Sequence, residues 1–220
     1  RAHYPVGPPY LATAVDMHRI VMKWSEYVPK VYAEHPFLMA EMYAFCIAAA
    51  HEELPHQVMN SLMISDIKVG GEGWDLFAND VEEGNMCRYA SQRVETAEAE
   101  VVAGERIMPG VLHHCQRYLL GKWFFGKKRV PKDFLSCDQP LLMTPPDNLE
   151  TLYDYFIPPP SRGKPDGGPK KPLTQKTQIL RTTFMICYLI DAMNEASRFF
   201  KEKSCDGNSN LNKSMELWKE

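Results

Sequence analysis

The longest apolar stretch of the chain, residues 36–54 (PFLMAEMYAFCIAAAHEEL), has no clear polar face between Phe37 and Ala50. A helix that is hydrophobic all round is normally sunk in a core. Pro36 suits the first turn of such a helix, and Pro55 cannot continue it. One carboxylate, Glu41, stands inside the run. A charge in that setting is neutralised, hydrogen-bonded, or turned to a cavity that uses it, unless it reaches the surface or pairs with an arginine.

The flanking patterns predict further elements. Thr13 can cap a helix over about 14–28, with Asp16 near its positive end. Val15, Ile20, Val21, Trp24 and Val28 form its apolar stripe, and Pro29 helps to end it. Residues 57–66, containing MNSLMISD, read as a strand, followed by a loop with Gly70, Gly71 and Gly73. The segment around 94–102 is charged and ambiguous. After Pro109, GVLHHCQRYLLGKWFFGKK reads as a turn and then aromatic-rich extended structure. Residues 158–172, dense in Pro, Gly and Lys, form a linker or surface loop between region 1–157 and a helix over 173–203. That helix packs back on the first part or faces a partner. A polar, frayed tail over 204–220 completes the chain, with Leu217-Trp218 as an anchor.

Composition narrows the classes. The 220 residues are 45% hydrophobic and 24% charged, as in ordinary globular chains, and the net charge of -3 argues against a general nucleic-acid binder. No apolar run is long enough to cross a bilayer. The chain opens on Arg1, as expected of a processed or truncated protein. Six cysteines without a CxxC pair disfavour structural zinc; disulfides in a secretory compartment and free thiols both remain open. Cys46 and Cys187 sit in apolar helical patterns, as packing residues do. Asn212-Lys213-Ser214 is a glycosylation sequon.

Three segments carry a family resemblance: GPPYLATAVDM (7–17), AEMYAFCIAAAH (40–51) and LHHCQRYLLGKWFF (112–125), with CDQPLL and LYDYFIPPP following. Together they resemble the peptidyl-serine α-galactosyltransferases of plants and green algae and, more distantly, the hydroxyproline O-arabinosyltransferases. The resemblance implies an α/β or α+β fold: the mainly helical acceptor-side half of a glycosyltransferase-A-like enzyme, with few strands and a long C-terminal helix. It implies transfer from a nucleotide-sugar, a UDP-sugar in particular, to Ser or hydroxyproline of a Pro-rich polypeptide, in the Golgi or endoplasmic reticulum lumen and with Mn²⁺.

By the same resemblance, His113 is the imidazole that completes the metal site. His114 replaces the family's tyrosine and stays outside the metal shell. A departing diphosphate needs fixed positive charge; Lys122, between Gly121 and Trp123, is the candidate, with Arg117, Lys127, Lys128 and Arg129 as solvated surface. Glu41 acts at the acceptor, as general base in an inverting reaction or as an orienting group in a retaining one. Tyr10, Tyr43 and Trp74 are candidate acceptor-binding aromatics, each also readable as core. Asp66 and the glycine loop with Glu72 are placed to close over the sugar. The Asp-x-Asp pair of metal-dependent transferases is absent from the sequence, as expected if the nucleotide-binding half lies outside this chain. The alternative is a non-catalytic derivative of the fold serving as a binding or structural subunit, with residues 173–203 as one contact. An independent His/Glu metal hydrolase has no HExxH to support it.

Overall fold

The computed structural model describes residues 3–5, 7, 9–68, 72–76, 84–92, 110–114, 116–152 and 175–217. The fold is α+β and divides into two compact units, Arg1–Asn60 and Ser61–Glu220. The expected linker (158–172) and the ambiguous segment (94–102) lie outside the described residues.

The first unit is a helical hairpin of α1 (Ala14–Glu34) and α2 (Ala40–His51). The Asp16 N–H donates to Thr13 Oγ1 at 3.1 Å, the expected cap. Pro29 lies inside α1 and does not end it. The carbonyl of Ser25, which Pro29 leaves without its helical donor, is on an exposed residue where water can serve it. α2 is shorter than the pattern predicts. Met39, at φ 80°, takes a left-handed conformation that separates Pro36 from the helix, so the first turn begins at Ala40.

α2 is also not buried all round. Ala44, Ala48 and Ala49 are fully buried, and their small side chains leave room for α1 to come close. With Ile20, Phe45 and Cys46 they form the core of the unit, against which Tyr10 and Trp24 pack. Glu41, Tyr43 and Ile47 are exposed. An Ala-rich helix looks uniformly apolar in sequence although a single neighbour covers it on one side only.

The second unit is built around the helix that is buried all round. After α3, of which residues 86–92 are described, the long α4 (Gln175–Ser204) runs through the core. Six consecutive residues, 182–187, are buried, more than one full turn. The unit has three two-stranded pairs. β1 (Met63–Ile64) pairs in parallel with β2 (Val111–Leu112), β3 (Tyr118–Leu120) is antiparallel to β4 (Trp123–Phe125), and β5 (Leu141–Leu142) is parallel to β6 (Ser214–Met215). Of these strands, β3, β4 and β5 lie against α4. Gly121, at φ 56°, opens the two-residue turn between β3 and β4, where a positive φ suits the strand twist.

The described part of the expected tail, residues 204–217, is not frayed. β6 extends the sheet from β5, and Cys205 is bonded to Cys137 across 68 residues. Cys187 is likewise more than a packing residue: it is bonded to Cys87, tying α4 to α3 across 100 residues. Cys46 remains a buried free thiol, as expected, and donates to the Pro5 carbonyl at 3.3 Å. Burial pushes its pKa up, so it is a poor nucleophile.

Candidate functional site

Parallel pairing of β1 with β2 places the residues that follow the two strands at one end. The register matches Ile64 with Leu112, and the His113 N–H donates to the Ile64 carbonyl at 2.9 Å. Ser65-Asp66 and His113-His114 therefore leave side by side from the carboxyl ends of adjacent strands, the usual position for ligand-binding groups in parallel sheets. His113 is exposed, while the His114 ring meets Phe125 edge-on at 6.0 Å. Extended backbone sends neighbouring side chains to opposite sides. One imidazole is thus free for a ligand and the other serves packing.

The loop beside them is braced by Glu72. Its carboxylate accepts from the Ser65 N–H and Ser65 Oγ, both at 2.6 Å, and from the Asp66 N–H at 3.2 Å. Three of its acceptor sites are used to hold Ser65 and the Asp66 backbone, so Glu72 shapes the site. Asp66 Oδ1 accepts from the Lys68 N–H at 2.8 Å. Gly70 and Gly71 lie outside the described residues.

Lys122 belongs to another part of the second unit, at the tip of the β3–β4 hairpin. Its ammonium stands 5.4 Å over the Trp123 ring and 3.8 Å from Glu216, and the side chain is 61% exposed. An ion pair this open is worth about 0–1 kcal/mol, so an anionic ligand can displace the carboxylate. The hairpin tip borders a shallow, open depression lined by Leu142, Ile190 and Met215 among others.

The remaining candidates separate by exposure. Trp74 is 4% exposed: Arg181 covers its ring at 4.8 Å, and its Nε1 donates to the Asp66 carbonyl at 3.1 Å. No face is left for an acceptor, and Trp74 is a core residue. Tyr10 is half-buried and stacks on Phe45 at 4.0 Å, its hydroxyl accepting from the Gly7 N–H at 3.0 Å. Tyr43 is 49% exposed. Glu41 projects from the first turn of α2, where the positive helix end favours a carboxylate, so no buried acid there demands a function.

Tyr10 gives a pH signature. Burial, foremost, pushes its pKa to about 12, from an ordinary value near 10. Because the folded value is raised, this contribution to stability is complete below about pH 10 and is lost as pH rises toward 12. Burial also raises the Tyr188 phenol, so a spectroscopic alkaline titration is expected to show more than one phenol ionising late, and Tyr10→Phe is expected to reduce the late amplitude by one phenol. An unchanged late amplitude in the variant would take the shift away from Tyr10.

Among the described residues there is no cluster of three or more His, Cys, Asp or Glu side chains arranged to hold a metal ion. No described helix is long and apolar enough to cross a membrane. No protein-family profile, curated protein or solved structure matches the chain.

Sequence reasoning weighted Glu41 above Asp66. The signal for the reverse is the strand pattern of MNSLMISD, which ends on Asp66 just as VLHH ends on histidine. Only the pairing of those strands brings the two together.

Proposed function

We propose that the chain is the acceptor-side part of a nucleotide-sugar-dependent glycosyltransferase acting on Ser or hydroxyproline hydroxyls of Pro-rich glycoproteins. Beside the sequence resemblance, the observation that carries this reading is the strand register that brings Asp66 and exposed His113 to one end of β1 and β2. A carboxylate and an imidazole fit a Mn²⁺ ion that draws its other ligands from a diphosphate and water. When bound, that ion neutralises charge on the departing diphosphate. His113 and Asp66 would hold it, Glu72 fixes the Asp66 backbone, and the Lys122 ammonium offers a further positive charge to the phosphates. On the first unit, Glu41 and Tyr43 are the exposed candidates for acceptor recognition. Two disulfides and an exposed Asn212 support a Golgi or endoplasmic reticulum lumen.

The test is transfer of labelled sugar from a panel of nucleotide-sugars to a Ser/hydroxyproline-rich peptide by the full protein with Mn²⁺. Transfer is expected, with His113→Ala lowering the rate at least about 100-fold and weakening Mn²⁺ binding read by spin resonance. Unchanged turnover in that variant would remove His113 from the site.

A second reading, a non-catalytic binding or structural subunit, is favoured by one observation. Phe37, Leu38, Met39, Tyr43 and Ile47 are 42–89% exposed along the start and outer face of α2, an apolar stripe of the kind interfaces use. Absence of transfer from every donor tested would select it.

A further inference from the structure

Between residues 117 and 132 the chain carries six basic residues and no acidic one, although the whole protein has a net charge of -3. Lys122 is drawn off to Glu216 at the hairpin tip. The others gather at the opposite end. Register places Arg117 across from Gly126, where a Cβ on the glycine would lie 3.7 Å from the Arg117 stem. Gly126 leads straight into the 3₁₀ turn Lys127–Arg129, closed by the Arg129 N–H donating to the Gly126 carbonyl at 2.8 Å. At three residues per turn its side chains fan outward. Lys132 follows in the next turn. Arg117, Lys127, Lys128 and Lys132 are all exposed, and no described carboxylate pairs with any of them.

We propose that this turn is a docking surface for an anionic polysaccharide, sulfated or carboxylated, independently of the transfer reading. Four fanned cations without a concave pocket suit a linear polyanion better than a single phosphate. The two disulfides belong to an oxidising compartment, which sets aside nucleic acid and the anionic cytoplasmic leaflet. A folded protein partner is held by well-packed anchors at the centre of its interface, and here Phe124, Phe125 and Phe134 are turned into the core; an acidic polypeptide needs no such anchor and is the competing occupant. Leu135 is the one exposed large apolar side chain between 117 and 135. What remains on offer is charge alone.

The experiment measures binding of the full chain to dextran sulfate, polygalacturonate, neutral dextran, polyglutamate and phosphatidylserine vesicles over a salt series. Binding is expected to be tightest for dextran sulfate and polygalacturonate, weaker for polyglutamate and the vesicles, whose charge the surface also attracts, and absent for neutral dextran. With four ionic contacts it should weaken roughly 100-fold between about 50 and 200 mM salt, by analogy with counterion release from nucleic acid. Lys127→Glu with Lys128→Glu is expected to weaken binding at least about tenfold. Lys68→Glu with Lys213→Glu makes the same change in net charge at exposed residues elsewhere and is expected to leave binding intact. Equal losses in both double variants would overturn the site. Binding to polyglutamate or to vesicles as tight as to dextran sulfate would overturn the polysaccharide assignment. Circular dichroism of each variant keeps misfolding apart from lost contact, and Arg117→Glu with Lys132→Glu repeats the test if the first pair fails to fold.

Discussion

Replacing Cys87 and Cys187 together by alanine is expected to lower the stability of the second unit by about 3–5 kcal/mol. The bond spans 100 residues, so cutting it restores a large loop's freedom to the unfolded chain. Both half-cystines are core residues, 2% and 0% exposed, and their removal also leaves space among Met86, Ala90 and Phe184 that the packing fills only in part. Domains are stable by only about 5–15 kcal/mol, so a loss of this size removes a large share of the unit's stability. The check is a urea titration followed by near-ultraviolet dichroism, oxidised against reduced and wild type against variant. Cys46→Ala, which touches no disulfide, separates this effect from a general sensitivity of thiols. Coincident midpoints for oxidised and reduced protein would show that the bond does not hold the unit together.

That bridge marks where sequence reading stops. The helix over 173–203 was legible because its apolar positions recur at helical spacing, and the structure places Gln175–Ser204 there. So were the Thr13 cap and the extended run through WFF, since caps and strands announce themselves within a few residues. The cysteine pairs did not, because pairing is set by the tertiary fold and six cysteines admit 15 complete connectivities. Glu41 misled for a related reason. Its neighbours are small and apolar, so hydropathy alone buries the helix, but burial depends on how many elements pack around it. α2 has the single partner α1 in its own unit, whereas α4 is surrounded by β3, β4 and β5. Asp66 and His113, nearly fifty positions apart, become neighbours only once β1 finds β2. The tail was misjudged because a two-residue parallel strand leaves almost no trace in a polar sequence.

One residue that sequence reading passed over sets up the second large effect. Asn194, 1% exposed in the middle of α4, bonds both polar groups of Leu142: its Oδ1 accepts from the Leu142 N–H at 2.8 Å and its Nδ2 donates to the Leu142 carbonyl at 2.9 Å. On the other side of β5, the N–H groups of Leu141 and Met143 donate to the carbonyls of Lys213 and Met215. β5 therefore has β6 on one edge and a side-chain amide standing in for a strand on the other. Asn194→Ala is expected to cost about 2–6 kcal/mol, because two buried backbone groups lose their partners at about 1–3 kcal/mol each. Asn194→Asp is expected to be worse at neutral pH, where a carboxylate oxygen would face the Leu142 carbonyl and a charge would be buried. A protonated Asp can reproduce both bonds, so its folded pKa is raised above the unfolded value near 4. Stability relative to wild type is then retained below about pH 4 and lost as pH rises through the folded pKa. Denaturant titrations of wild type and both variants across acidic to neutral pH check this. A pH-independent deficit in Asn194→Asp would mean that the amide acts through shape alone.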